Sequence, residues 1–139
     1  MNKYFVDTDV VLDLLTQRIP HFHFSAVLFS LAEMGKFNLY TSPTVMVNAF
    51  YILRKQLGND AAKNALRKLR LILHVVDSSE KVLDQALNSN FNDFEDAVQY
   101  YTALNAGIST ILTRNIRDYK SQDVIIQTPE MFLAGNGWI

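Results

Sequence analysis

Cysteine is absent from all 139 residues. That excludes disulfides and thiolate zinc sites, and it fits a reducing cytosol. No apolar run approaches the roughly 20 residues of a bilayer span. Asp7, Asp9 and Asp13 interrupt the N-terminal apolar stretch, so it does not read as a secretory signal. Neither sign of charge is in excess, with a formal net charge of −1. Any nucleic-acid contact must therefore come from a local patch. Repeats, linkers and low-complexity tracts are missing too. What remains reads as a single domain over residues 1–139, expected in the cytoplasm. Its 49% apolar content permits a full core, enough to bury about two-thirds of the unfolded surface.

Short β-branched or aromatic runs alternate with longer helical patterns. Strands are expected at Tyr4–Val6, Leu39–Thr41, His74–Val76, Thr110–Thr113 and Val124–Gln127. A helix over Phe22–Met34 should stop at Gly35. Ser42-Pro43 supplies an N-cap and first-turn proline for a helix that runs to Leu57 and halts at Gly58. Asn59 or Asp60 should cap the next helix, on which Ala62, Leu66, Leu69 and Leu73 form one apolar stripe. Ser78 or Ser79 opens another, to about Asn88, and Asp93 opens one that ends near Gly107. The tail from Gly135 to Ile139 looks loosely organised, although Trp138 should find a surface to cover. Strands separated by helices make βαβ units. The expected fold is a three-layer α/β domain, with a mainly parallel sheet of about five strands flanked by helices.

The apolar run Tyr4-Phe5-Val6 ends abruptly on Asp7, with Asp9 two residues on. Ligands of open α/β sheets bind outside the carboxyl ends of the strands, so Asp7 is placed for chemistry. Asp is also a favoured N-cap, and capping explains Asp9 at least as well as chemistry does. Asp93 and Asp96 sit at a helix start, where the helix dipole welcomes negative charge. Capping accounts for Asp93 better than for Asp96, and Glu95 is expected to point away into solvent. Asp118 follows Thr113-Arg114-Asn115-Ile116-Arg117, just past a strand. Brought together, such acids would repel and raise one another's pKa. A divalent cation removes that cost, and oxygen donors without cysteine favour Mg²⁺ or Mn²⁺ over zinc.

The pieces Phe5-Val6-Asp7-Thr8-Asp9-Val10-Val11-Leu12-Asp13, Asp93-Phe94-Glu95-Asp96-Ala97-Val98-Gln99-Tyr100 and Thr113-Arg114-Asn115-Ile116-Arg117-Asp118-Tyr119 together resemble the PIN-domain ribonucleases. Within that family the chain looks like the bacterial VapC-type toxins. The resemblance implies hydrolysis of RNA phosphodiesters with Mg²⁺ or Mn²⁺ held by Asp7, Asp96 and Asp118. Asp93 is a further metal-side acid, and Asp9 a weaker one. Asn115 would lend an amide oxygen or position Asp118, and Arg114 and Arg117 would contact RNA phosphates. The resemblance also implies a small antitoxin partner and a homodimer. One departure stands out. Where the family usually carries a helix glutamate, this chain has Asn48, which costs the site one negative charge and should weaken metal binding.

Other features carry less. His21 and His23 are spaced poorly for shared ligation. Lys63, Arg67 and Arg70 share one helical face, which reads as a solvated face or a phosphate contact. Two enzyme rivals and one non-enzyme rival compete. Asp7-Thr8-Asp9-Val10-Val11 fits a haloacid-dehalogenase-type phosphatase, but Asp93 and Asp96 follow a polar stretch rather than a strand. Asp77 could be the acceptor of a phosphoacceptor receiver domain, which would also need a lysine after the fifth strand, where Thr128-Pro129 stands instead. The third is a catalytically weakened PIN-like domain that binds RNA or protein, motivated by Asn48.

Overall fold

The computed structural model describes residues 2–120 and 123–139. Five strands form a wholly parallel sheet, β1 (Lys3–Val6), β2 (Asn38–Thr41), β3 (Leu73–Val75), β4 (Thr110–Leu112) and β5 (Ile125–Gln127), in the order β3-β2-β1-β4-β5. Two strand ends fall one residue short of expectation, at Val75 and Leu112. The ladder nevertheless continues past both, because Val76 N donates to Thr41 O at 2.8 Å and Thr113 N to Gln127 O at 2.9 Å. Phe5 and Val6 are adjacent on β1 and so face opposite sides of the sheet, yet each is 0% exposed. Ile111 and Leu112 on β4 repeat this. Both faces are therefore covered, as an all-parallel sheet requires.

Among the described residues, seven helices supply the cover. They are α1 (Thr8–Leu15), α2 (Phe22–Glu33), α3 (Pro43–Leu57), α4 (Asn59–Leu69), α5 (Glu80–Leu87), α6 (Phe94–Asn105) and α7 (Pro129–Gly135). A single 3₁₀ turn spans Ile116–Asp118. Ser42 caps α3 by accepting from Val45 N, Ser79 caps α5 through Val82 N, and Asp93 caps α6 through Asp96 N. Gly35 and Gly58 close α2 and α3 at φ of 79° and 85°, where a side chain would be strained. The helices α5 and α6 share a small core of Val82, Ala86, Ala97 and Val98. A larger core joins the sheet to α1, α2, α3, α4, α7 and, through Tyr100 and Ala103, α6.

Three local expectations are corrected. Neither Asn59 nor Asp60 caps α4; Gly58 occupies the cap position with no side-chain bond, since α3 and α4 run almost directly into each other. Leu73 does not extend the α4 stripe but opens β3, where it is still fully buried. The stretch before the tail is helical where no element was expected, because Thr128-Pro129 starts α7 just as Ser42-Pro43 starts α3, and of the tail only Gly135 joins it. The helix buries Phe132, and Trp138 meets the edge of Phe37 with ring centroids 6.4 Å apart.

Candidate active site and metal centre

The strand order fixes where a site can form. After β1 the chain builds outward through β2 and β3, then returns to the other side of β1 with β4. The crevice therefore opens between the carboxyl ends of β1 and β4. Asp7 lies there, immediately after Val6, and is 5% exposed. Its Oδ1 accepts from Thr8 N at 2.8 Å, so it also serves as the N-cap of α1. Its Oδ2 accepts from the Tyr119 hydroxyl at 2.8 Å and from Thr113 Oγ1 at 3.2 Å. Burial pushes the Asp7 carboxyl above the usual carboxylate range, against the pull of these donors.

Asp9 does not cap the helix. Its Oδ2 accepts from Arg114 N at 2.9 Å and from Thr113 Oγ1 at 3.3 Å, which fastens the turn after β4 onto α1. Its Oδ1 is buried without a partner. Burial first, then the Asp7 charge, raises its pKa to about 6.

The other acids arrive from α6 and the 3₁₀ turn. Asp93 Oδ1 accepts from Asp96 N at 3.0 Å, so capping accounts for one of its oxygens. Asp96 is pushed up to about 7, by burial first and then by the charges of Asp7, Asp93, Asp118 and Glu95. Four acids from three segments therefore press on one carboxyl. Asp118 N donates to Asn115 O at 3.1 Å, so Asn115 positions Asp118 through its main chain. Among the described residues, no three His, Asp or Glu side chains are close enough to hold a metal ion as they stand.

Glu95 departs from expectation. It is exposed by area, but burial of its carboxyl, the Asp7 charge and the Asp93 charge all raise its pKa. Asn48 on α3 faces it and favours its charged form, although the Asn48 amide nitrogen meets no acceptor at full hydrogen-bonding geometry. Glu95 thus lies beside Asn48, within reach of the Asp7 and Asp93 charges. Residue spacing hid this, because the third position of a helix start usually faces water.

The Arg114 guanidinium pairs with the buried Asp13, with Nε 2.6 Å from Oδ2, while its side chain stays 27% exposed. Arg117 remains exposed. Of the histidines, His21 stands at the start of α2 without a side-chain cap bond, and His74 is exposed against the Tyr40 ring. Asp77 follows β3 at the sheet margin, with β2 between it and β1, so it does not join Asp7. The sequence reading missed the donors Tyr119 and Thr113. The only available signal was their adjacency to Asp118 and to the end of β4.

The model of the PIN domain family matches residues 3–117. This chain belongs to the PIN-domain family. The PIN fold accounts for the acids at one sheet edge, and it removes the phosphatase and receiver readings. Ribonuclease VapC1 of Aquifex aeolicus is 27% identical over 135 residues, covering 94% of this chain and 92% of that one. Among solved structures, Mycobacterium tuberculosis VapC20, described as a sarcin-ricin loop cleaving toxin, superposes with a TM-score of 0.61 at 19% identity. That match covers 78% of this chain and 86% of VapC20. VapBC2 from Rickettsia felis, bound to a promoter DNA fragment, gives a TM-score of 0.67 at 15% identity, covering 91% and 98%. Among the described residues of this PIN domain, no helix is long and apolar enough to cross a membrane.

Proposed function

We propose that this PIN domain is a divalent-metal-dependent ribonuclease and the toxin of a toxin–antitoxin pair. One observation carries the reading: Asp96 is pushed up to about 7 by burial and then by the charges of Asp7, Asp93, Asp118 and Glu95 at the β1–β4 crevice. Uncompensated carboxylates at a ligand crevice suit a cation better than they suit a neutral ligand. The donors fit Mg²⁺ or Mn²⁺ in kind, being all oxygen, with a buried and unpartnered Asp9 Oδ1 nearby. Asp7, Asp96 and Asp118 would hold the ion, with Asp93 and Glu95 adding charge. Closing on it requires the exposed Asp93 and Asp118 side chains to turn inward.

When bound, such an ion lowers the pKa of an attacking water and offsets charge on the phosphate oxygens. The protein's own part is positional. Tyr119 and Thr113 fix Oδ2 of Asp7, Thr8 N fixes Oδ1, and Asn115 O anchors the turn that carries Asp118. Exposed Arg117, in the same turn, is placed to meet a phosphate.

The VapC1 relative is named a ribonuclease, and a structure of like fold is described as a toxin–antitoxin complex from Klebsiella pneumoniae. Those names support an RNA substrate and a small antitoxin for this chain. Apolar side chains left in water, such as Leu71 at 87% and Leu87 at 68% exposure, support partners, including a second copy. The test is cleavage of structured and single-stranded RNA in Mn²⁺, Mg²⁺ or EDTA. Cleavage should need the metal and fall at least about 100-fold in Asp7→Asn and Asp96→Asn. Metal-independent cleavage, or full activity in either variant, removes the mechanism. No cleavage under any condition favours the catalytically weakened binding domain that Asn48 suggests.

A further inference from the structure

Beside the acid cluster lies a cavity of about 550 Å³ whose walls include Asn90, Phe91, Tyr100, Tyr101, Tyr119 and Lys120. We propose that it receives one unpaired nucleobase of the RNA strand, next to the phosphate held at the acids. The inference rests on the ribonuclease reading above and names a subsite for it.

Position is the first argument. Tyr119 lines the cavity and donates to Asp7 Oδ2 at 2.8 Å, so the two sites share a wall. The other walls run straight into the acids. Asn90 and Phe91 lead to Asp93 at the start of α6, and Lys120 follows Asp118 by two residues. Any group filling the cavity therefore shares the Tyr119 wall with the crevice.

Chemistry is the second argument. Phe91 and Tyr101 are half-buried and present ring surface to the opening. Phe91 packs edge-on to Tyr119 at 6.1 Å and 88°, and Tyr100 edge-on to Tyr101 at 5.0 Å and 87°. These contacts brace the rings before any ligand arrives. Tyr100 is further fixed by its hydroxyl, which accepts from Asp123 N at 3.3 Å. Braced aromatic rings beside a backbone-binding site are the recurring platform for splayed bases, which stack on them whatever their identity. Lys120 at the rim can meet a flanking phosphate, and the Asn90 amide can meet a base edge. Asp123 also stands at the rim and disfavours an anionic group deeper in the cavity. That too suits a neutral base with its phosphate outside. The volume lies within the range of about 300–1,000 Å³ typical of small-ligand clefts.

The subsite predicts selection for an unpaired nucleotide at one place relative to the cleaved bond, with weak preference among bases. The test has two arms. In the first, uridine and adenosine 5′-monophosphate are titrated into the metal-free protein, and aromatic NMR signals are followed. Phe91 and Tyr101 resonances should shift with both nucleotides. Unmoved resonances overturn the subsite, whether or not the protein cleaves RNA. In the second, single-stranded oligonucleotides carrying one abasic site at successive positions are cleaved with Mn²⁺. One position flanking the scissile bond should lose about tenfold in kcat/KM, and the loss should shrink in Tyr101→Ala. Lys120→Ala, at an exposed position, should weaken KM for every oligonucleotide. Equal cleavage of all abasic oligonucleotides overturns the subsite and leaves the ribonuclease reading standing. If no oligonucleotide is cleaved, the ribonuclease reading fails and the titration alone decides the cavity.

Discussion

The guanidinium of Arg114 grips the Asp13 carboxylate with two hydrogen bonds, Nε to Oδ2 at 2.6 Å and Nη2 to Oδ1 at 3.1 Å. Asp13 belongs to α1 and its side chain is 1% exposed, while Arg114 belongs to the turn after β4. The pair therefore ties the turn that carries Asn115 and Asp118 to the helix that carries Asp9. Arg18, 3.8 Å away and 41% exposed, is a weak substitute. Removing Arg114 strands a buried charge, at a cost of about 3 kcal/mol, the low end of the buried-pair range because Arg114 is partly wet. Arg114→Ala should lower stability in urea by that amount. Arg114→Lys should recover less than half of it, since a single ammonium cannot match the two-pronged contact. An unchanged midpoint in Arg114→Ala would show that the pair holds nothing together.

Acidity in the crevice makes the metal-free protein lose stability as pH rises. Asp96 titrates near about 7 and Asp9 near about 6, against an unfolded value of 3.8. Between those limits the folded state binds more protons than the unfolded state, so stability falls from about pH 4 to pH 7 and then levels off. Mn²⁺ competes with these protons, so its stabilising effect should be small at pH 5 and large above pH 7. Urea midpoints across that range, with and without Mn²⁺, check both halves. Metal-free stability that rises over the same interval contradicts the arrangement.

Under the proposed function, Glu95 supplies the charge that Asn48 lacks. Glu95→Gln should weaken Mn²⁺ binding roughly tenfold, because charge dominates the affinity of oxygen ligands for hard cations. Asn48→Glu combined with Glu95→Gln should return most of that loss. Asn48→Glu alone should tighten binding, although less than a free carboxylate would, since it faces Glu95. Calorimetry on the four proteins reads the cycle. Wild-type affinity in Glu95→Gln would mean that Glu95 does not supply the missing charge.

Tyr119→Phe keeps the ring in the aromatic cluster and removes only the hydroxyl that reaches Asp7. A hydrogen bond to a charged group is worth about 1.5–3 kcal/mol. Asp7 should then hold its proton to higher pH, and Mn²⁺ affinity at pH 7 should drop about tenfold. The deficit should narrow as rising pH ionises Asp7 in both proteins. A deficit independent of pH would point to lost packing instead.

Much of this was readable beforehand, for physical reasons. Phe5-Val6-Asp7 announces a buried strand ending on a carboxylate, and Ser42-Pro43 announces a helix start. Both are local chemistry, and both are found. That the charges of Asp7 and Asp118 bear on Asp96 was legible only through their order and spacing along the chain. Glu95 is exposed as expected, but its pull from Asp7 was not legible, because periodicity assigns a face and not the direction of a side chain in a first turn. The pairing of Arg114 with Asp13 was not legible, because the two are 101 positions apart and nothing local marks the pair. Thr128-Pro129 carried the same start signal as Ser42-Pro43, but the helix it opens is too short to show a period.

The two margins of the sheet, β3 and β5, are three residues long each. A foreign strand laid along either would find only a short row of free main-chain groups, too little for a stable ladder. Backbone zippering is thereby discouraged, and with it the runaway stacking that open parallel sheets invite. A second molecule would instead meet side chains, on the helices and around the crevice.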